Sequence, residues 1–149
     1  MARRAWNSAV VAVFFGFAGA WAPCAFASSA EIAADAMGHF VTTAEIEHTA
    51  IKVLVDTGAS VVALSYEDAE EAGLSPRTLK FDVPVSTANG QVEAARVVLD
   101  RVEIGNVLVR DVEGIVLPKG AYGGTLLGMS FLNKLSRFKV EDRTLYLDE

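Results

Sequence analysis

Residues 51–60, IKVLVDTGAS, set an apolar run directly against a carboxylate. Ile51 to Val55 is rich in β-branched residues and reads as a buried strand. Asp56, the hydroxyl of Thr57 and the Cβ-free Gly58 follow without a spacer. A strand end is a rigid platform, and a glycine there lets another segment of backbone come close. A carboxylate beside low-dielectric surroundings has a tunable proton affinity. Taken alone, the tripeptide has an ordinary explanation, because Asp before Gly is common in turns. What decides between the two readings is the remainder of the chain.

The pattern after residue 38 is that of a small, mostly β domain. His39 to Ile46 reads as a strand, and Glu47, His48 and Thr49 form a polar hairpin tip before the next one. Ser65 opens a short helix as N-cap with Asp68 three positions on, and Gly73 supplies its left-handed stop. Phe81 to Thr87 is a strand weakened by Pro84, and Asn89-Gly90 is the strongest hairpin-turn signal in the sequence. Gln91 to Ile104 is a long strand or a bent pair. Gly105-Asn106 turns the chain into Val107 to Val112, and Ile115 to Leu117 is a further short strand. The loop 118–124, PKGAYGG, precedes Leu126-Leu127-Gly128 and one or two helical turns from Met129 to Leu135. Arg137 to Val140 and Thr144 to Leu147 form a closing hairpin. Eight or nine short strands and two short helices make a barrel or sandwich.

Composition matters chiefly for the N-terminus. Of the 149 residues, 52% are hydrophobic, and the excess is concentrated in residues 1–27. Arg3 and Arg4, an uncharged run from Ala9 to Trp21 and Ala25-Phe26-Ala27 describe a secretory signal peptide. The stretch 5–27 is also long enough for an uncleaved membrane anchor, so both readings stand. Either makes the protein exported: periplasmic or secreted, or held at the inner membrane by that segment. Residues 28–37 read as a linker, and 38–149 as the functional domain. The formal net charge of -6 argues against a nucleic-acid partner, which demands a basic stripe. His39 and His48 lie nine positions apart with no third ligand evident, so no metal site and no cofactor is expected.

Four separated segments then carry a resemblance. Gly38-His39-Phe40, Val55-Asp56-Thr57-Gly58-Ala59-Ser60, Thr87-Ala88-Asn89-Gly90 and Leu127-Gly128-Met129-Ser130-Phe131-Leu132 occur in this order. Together they resemble the retropepsin-like aspartic proteases, single-lobe relatives of pepsin, and most of all their bacterial, exported or membrane-associated branch. The resemblance spans Gly38 to Leu147. It implies a single-lobe acid-protease barrel with a flap hairpin, in which Asp56 is the catalytic aspartate. Thr57 would point into a dimer interface, and Gly58 and Ala59 would line the substrate backbone. Ser60 would hydrogen-bond the outer oxygen of Asp56. Asn89 and Gly90 would sit at the flap tip, and Leu126, Leu127 and Gly128 would buttress the active-site loop. Tyr122 would either close over a bound peptide or stand exposed in a mobile loop.

Aspartic proteolysis needs two carboxylates that share a proton. Of the eight aspartates, only Asp56 is followed by Thr-Gly or Ser-Gly. One chain therefore offers half of the dyad, and a twofold homodimer is the economical completion. The expected partners are a peptide or protein substrate and a second copy, with membrane contact only through an uncleaved leader. Two rivals remain: a non-catalytic peptide-binding domain on the same fold, and an assembly in which another chain supplies the second aspartate.

Overall fold

Alternation along one long strand organises the molecule. The computed structural model describes residues 28–87 and 90–149. The proposed leader and Asn89 therefore lie outside the described residues. The strands are β1 (Ser29–Ala33), β2 (Val41–Ile46), β3 (Thr49–Val55), β4 (Val62–Leu64), β5 (Phe81–Thr87), β6 (Gly90–Ile104), β7 (Val107–Val116), β8 (Thr125–Leu127), β9 (Arg137–Glu141) and β10 (Thr144–Asp148). Among the described residues two short helices, α1 (Tyr66–Glu71) and α2 (Met129–Leu132), accompany the strands, with a 3-10 turn at Pro76–Thr78. Among the described residues no helix is long and apolar enough to cross a membrane.

Strand β6 pairs with β5 through its first half and with β7 along most of its length. Its far end meets β2, with Ile46 opposite Val102 and Glu45 opposite Glu103. That last pairing closes the sheet order β2-β3-β8-β4-β7-β6 into a six-stranded barrel, and β5 is left as an outer strand. Pro84 is tolerated because β5 is an edge and needs no second ladder. Ala95, Val97 and Leu99 point into the barrel with Ile46, Val53, Val62 and Leu127. Burying each of the larger side chains contributes about 1.5–3 kcal/mol.

The β2–β3 turn places Glu47 and His48 at φ 49° and 69°, a conformation that usually calls for Asn or Gly. Contacts with β6 offset the strain: the Glu47 amide donates to the Arg101 carbonyl at 3.2 Å, and its carboxylate accepts from the Asp100 amide. The hairpin expected at Asn89-Gly90 closes with Thr87 opposite Gly90, so Gly90 begins β6 at φ 117°.

Two expectations are corrected. Residues 28–37 are not simply a linker, because β1 pairs antiparallel with β10, Ile32 opposite Leu145, and Ile32 is buried. The small, acidic composition hid a strand with one inward residue. Likewise, the segments 107–112 and 115–117 do not form two strands. Residues 107–116 form the single strand β7 through Gly114, which sits opposite Val62 of β4, where a Cβ would lie 3.2 Å from the Val62 carbonyl oxygen, and Leu117 follows its end.

Candidate active site

Strands β3 and β8 run parallel, Val53 beside Thr125 and Val55 beside Leu127. As β3 ends, the Asp56 amide donates to the Leu127 carbonyl at 3.1 Å. The chain then doubles back, with the Ala59 amide donating to the Asp56 carbonyl at 3.2 Å. The Gly58 amide donates to Oδ1 of Asp56 at 2.8 Å. A Cβ on Gly58 would stand 3.1 Å from that oxygen, so the glycine lets amide and carboxylate meet.

The loop is pinned from below. The Met129 amide donates to the Ala59 carbonyl at 2.8 Å, which draws the loop over Gly128. Ser130 Oγ accepts from the Val62 amide at 3.0 Å and donates to the Glu113 carbonyl at 2.6 Å, joining α2, β4 and β7 through one hydroxyl. Thr125, buried on β8, donates its hydroxyl to the Asp68 carboxylate of α1 at 2.6 Å. Ser65 caps α1 as expected, accepting from the Asp68 amide at 3.1 Å. The Asp68 side chain reaches across to Thr125 and does not complete a capping box. The sequence reading missed Thr125, Asp68 and Ser130 as supports, because their partners are distant in the chain.

Above this platform lies a cleft of about 680 Å³. The structure brings Asp56, Gly58, Ala59, Ser60, Tyr122 and Leu126 together in its wall. Val83, Val85 and Ile115 supply apolar wall that the sequence did not single out, although the alternation of Val83 and Val85 was a readable signal. Thr57 is exposed and Gly90 begins β6 in the β5–β6 hairpin, and neither lines the cleft. Leu126 points to the cleft side while Leu127 is buried in the barrel, as neighbours on one strand must. Ser60 does not hydrogen-bond Asp56; among the described residues the donor to that carboxylate is the Gly58 amide. Gly128 buttresses the loop by having no side chain, under the carbonyls of Ala59 and Val61. Tyr122 is 41% exposed at the rim, its ring beside Gly124.

The site is therefore a half-buried carboxylate, fixed by backbone, at the wall of a mainly apolar cleft under a β-hairpin. It suits acid–base work on a peptide lying extended in that cleft.

The fold and this geometry match known proteins. The family model described as "gag-polyprotein putative aspartyl protease" matches residues 42–134. A crystal structure of a retropepsin-like aspartic protease from Rickettsia conorii is similar with a TM-score of 0.73 and 35% identity, over 82% of this chain and 91% of that one. EIAV protease, complexed with the inhibitor HBY-793, shares the fold with a TM-score of 0.54 and 19% identity, over 69% of this chain and 93% of that one. An uncharacterized protein from the cobV 5′ region of Sinorhizobium sp. is 47% identical over 110 residues, 74% of this chain and 47% of its own length. The chain thus spans about half the length of the curated relatives it matches. The barrel with its Asp-Thr-Gly strand end is that of an aspartic protease. The chain belongs to the retropepsin-like aspartic protease family.

Proposed function

We propose that this protein is an aspartic endopeptidase that works as a homodimer, each copy contributing Asp56. The observation that carries this reading is the single Asp56 carboxylate, held at the cleft wall by the Gly58 amide at 2.8 Å. One chain supplies one such group, and the chemistry needs two. Across a twofold axis the two carboxylates share one proton, because like charges that close cannot both ionise. The ionised member takes a proton from water as it attacks the scissile carbonyl, and the protonated member hydrogen-bonds the carbonyl oxygen. The tetrahedral intermediate then collapses with proton transfer to the leaving amine. Such a shared-proton state favours mildly acidic conditions. The hairpin of β5 and β6 would cover the peptide, which adds to the cleft as an extended strand. Export through residues 1–27, cleaved or retained as an anchor, belongs to the same proposal and rests on their composition.

The test compares the full chain with its Asp56→Asn variant on a mixed peptide library between pH 4 and 7, with sedimentation of the same samples. Cleavage lost in the variant, from a dimeric wild type, supports the reading. Equal cleavage by both, or an active monomer, refutes it. Peptide binding without cleavage by either identifies a binding domain.

A further inference from the structure

The cleft carries two charged residues among those that line it, Asp56 and Arg96; the others are apolar residues, glycines, hydroxyl residues and one tyrosine. Arg96 reaches the cleft by the alternation of β6. Ala95 and Val97 point into the barrel core, while Val92 and Ala94 belong to the cluster beneath the cleft with Ala63, Ile115 and Leu117. Arg96 is the next residue on that second face. It stands opposite Ile115 on β7, which also lines the cleft, and it remains exposed. A residue in this place would ordinarily continue the apolar floor.

No carboxylate of the described residues forms an ion pair with Arg96. Asp82 on β5 feels Arg96 only weakly: its carboxyl is held below its ordinary value mainly by the hydrogen bond from Lys80 and least by Arg96. Lys80 Nζ lies 2.6 Å from the Asp82 carboxylate, so that carboxylate is already engaged. Arg96 thus lines the cleft with no ion-pair partner among the described residues, in a protein of net charge -6. Its planar fork matches a carboxylate in a paired geometry that a water shell does not supply.

We propose that Arg96 is a specificity residue that selects peptides presenting a carboxylate, from an Asp or Glu side chain or from a free C-terminus, beside the apolar residues of the cleft. This rests on the reading that the cleft takes an extended peptide. In that geometry alternate side chains face the floor. One can meet Ile115 and Leu117 while a carboxylate further along meets Arg96.

Binding to the full-length Asp56→Asn variant tests this without requiring cleavage. The probes are fluorescent peptides with a hydrophobic centre that differ only in a flanking Glu, Gln or Lys, each with a free and an amidated C-terminus. The expected result is about tenfold tighter binding of the Glu peptide than of the Gln peptide, the scale of a hydrogen bond to a charged group. Adding Arg96→Gln should erase that preference, and Arg96→Glu should turn it toward Lys. A preference that follows only the free C-terminus assigns the terminal carboxylate as the ligand. Equal binding of the amidated and free Glu and Gln peptides, or a preference that survives Arg96→Gln, overturns the proposal. A wild type that cleaves nothing while the carboxylate preference holds refutes the protease reading and leaves this one standing.

Discussion

The carbonyl oxygen of Val61 lies 2.2 Å from where a Cβ on Gly128 would stand, and that of Ala59 lies 2.6 Å away. Both obstacles are backbone, and both belong to the loop that follows Asp56. Neither can swing aside as a side chain would. Gly128→Ala should therefore destabilise the protein by about 3 kcal/mol, at the upper end of overpacking costs. It should also abolish peptide cleavage, because the loop must lift to admit the methyl group. Gly124→Ala, whose Cβ would meet Tyr122 at an ordinary 3.5 Å, is the control. Denaturant midpoints of the two variants check this; equal midpoints would show that the loop yields.

Thr125 and Asp68 tie the strand beneath the loop to the helix behind it. Thr125→Val keeps the shape and removes the donor, leaving the Asp68 carboxylate without its partner at 2.6 Å. The expected loss is about 1.5–3 kcal/mol, as for a hydrogen bond to a charged group. Asp68→Asn retains an acceptor oxygen and should lose less. Since β8 carries Leu126 and Leu127 beneath Asp56, turnover should fall with stability, more in Thr125→Val than in Asp68→Asn. Chemical denaturation and peptide turnover of the two variants measure both effects.

These two contacts show what a sequence can reveal. The strand ending at Asp56 was legible because its signal is local: three apolar residues, then a carboxylate and a glycine. The cap at Ser65 was legible for the same reason, since its hydrogen bond spans three residues. Thr125 with Asp68, and Ser130 with Val62 and Glu113, were not, because no spacing rule connects residues 57, 68 or 17 positions apart. The edge strand β1 was hidden by small residues, and its partner lies at the other end of the chain. Arg96 was hidden in another way. It sits in a readable alternation, but only the tertiary structure shows that this face is the cleft floor.

Asp35 organises the loop from β1 to β2. Its Oδ1 accepts from the amides of Met37 at 2.8 Å and His39 at 2.9 Å. These bonds, that from His39 foremost, hold its carboxyl below the ordinary value of 3.8. A lowered folded-state value means that ionised Asp35 stabilises the protein at pH above 3.8, and that this contribution is lost as pH falls through the lowered value. The difference in unfolding midpoint between wild type and Asp35→Ala should be full at pH 6 and smaller at pH 3, where a neutral carboxyl accepts more weakly. A difference that does not change with pH would show that the charge contributes nothing.

Ile32 decides whether β1 belongs to the folded domain. Its side chain is 4% exposed and packs with the core, opposite Leu145 on β10. Ile32→Ala removes buried methyl groups between two strands that cannot collapse far, since β10 is also paired with β9. A cost of about 2–4 kcal/mol is expected. Glu31→Ala, on the exposed face of the same strand, should stay within about 0.5 kcal/mol of wild type. A linker would be indifferent to both changes. Guanidinium unfolding curves of the two variants therefore discriminate: a shift confined to Ile32→Ala shows β1 to be structural, and two unshifted curves show it to be a tether.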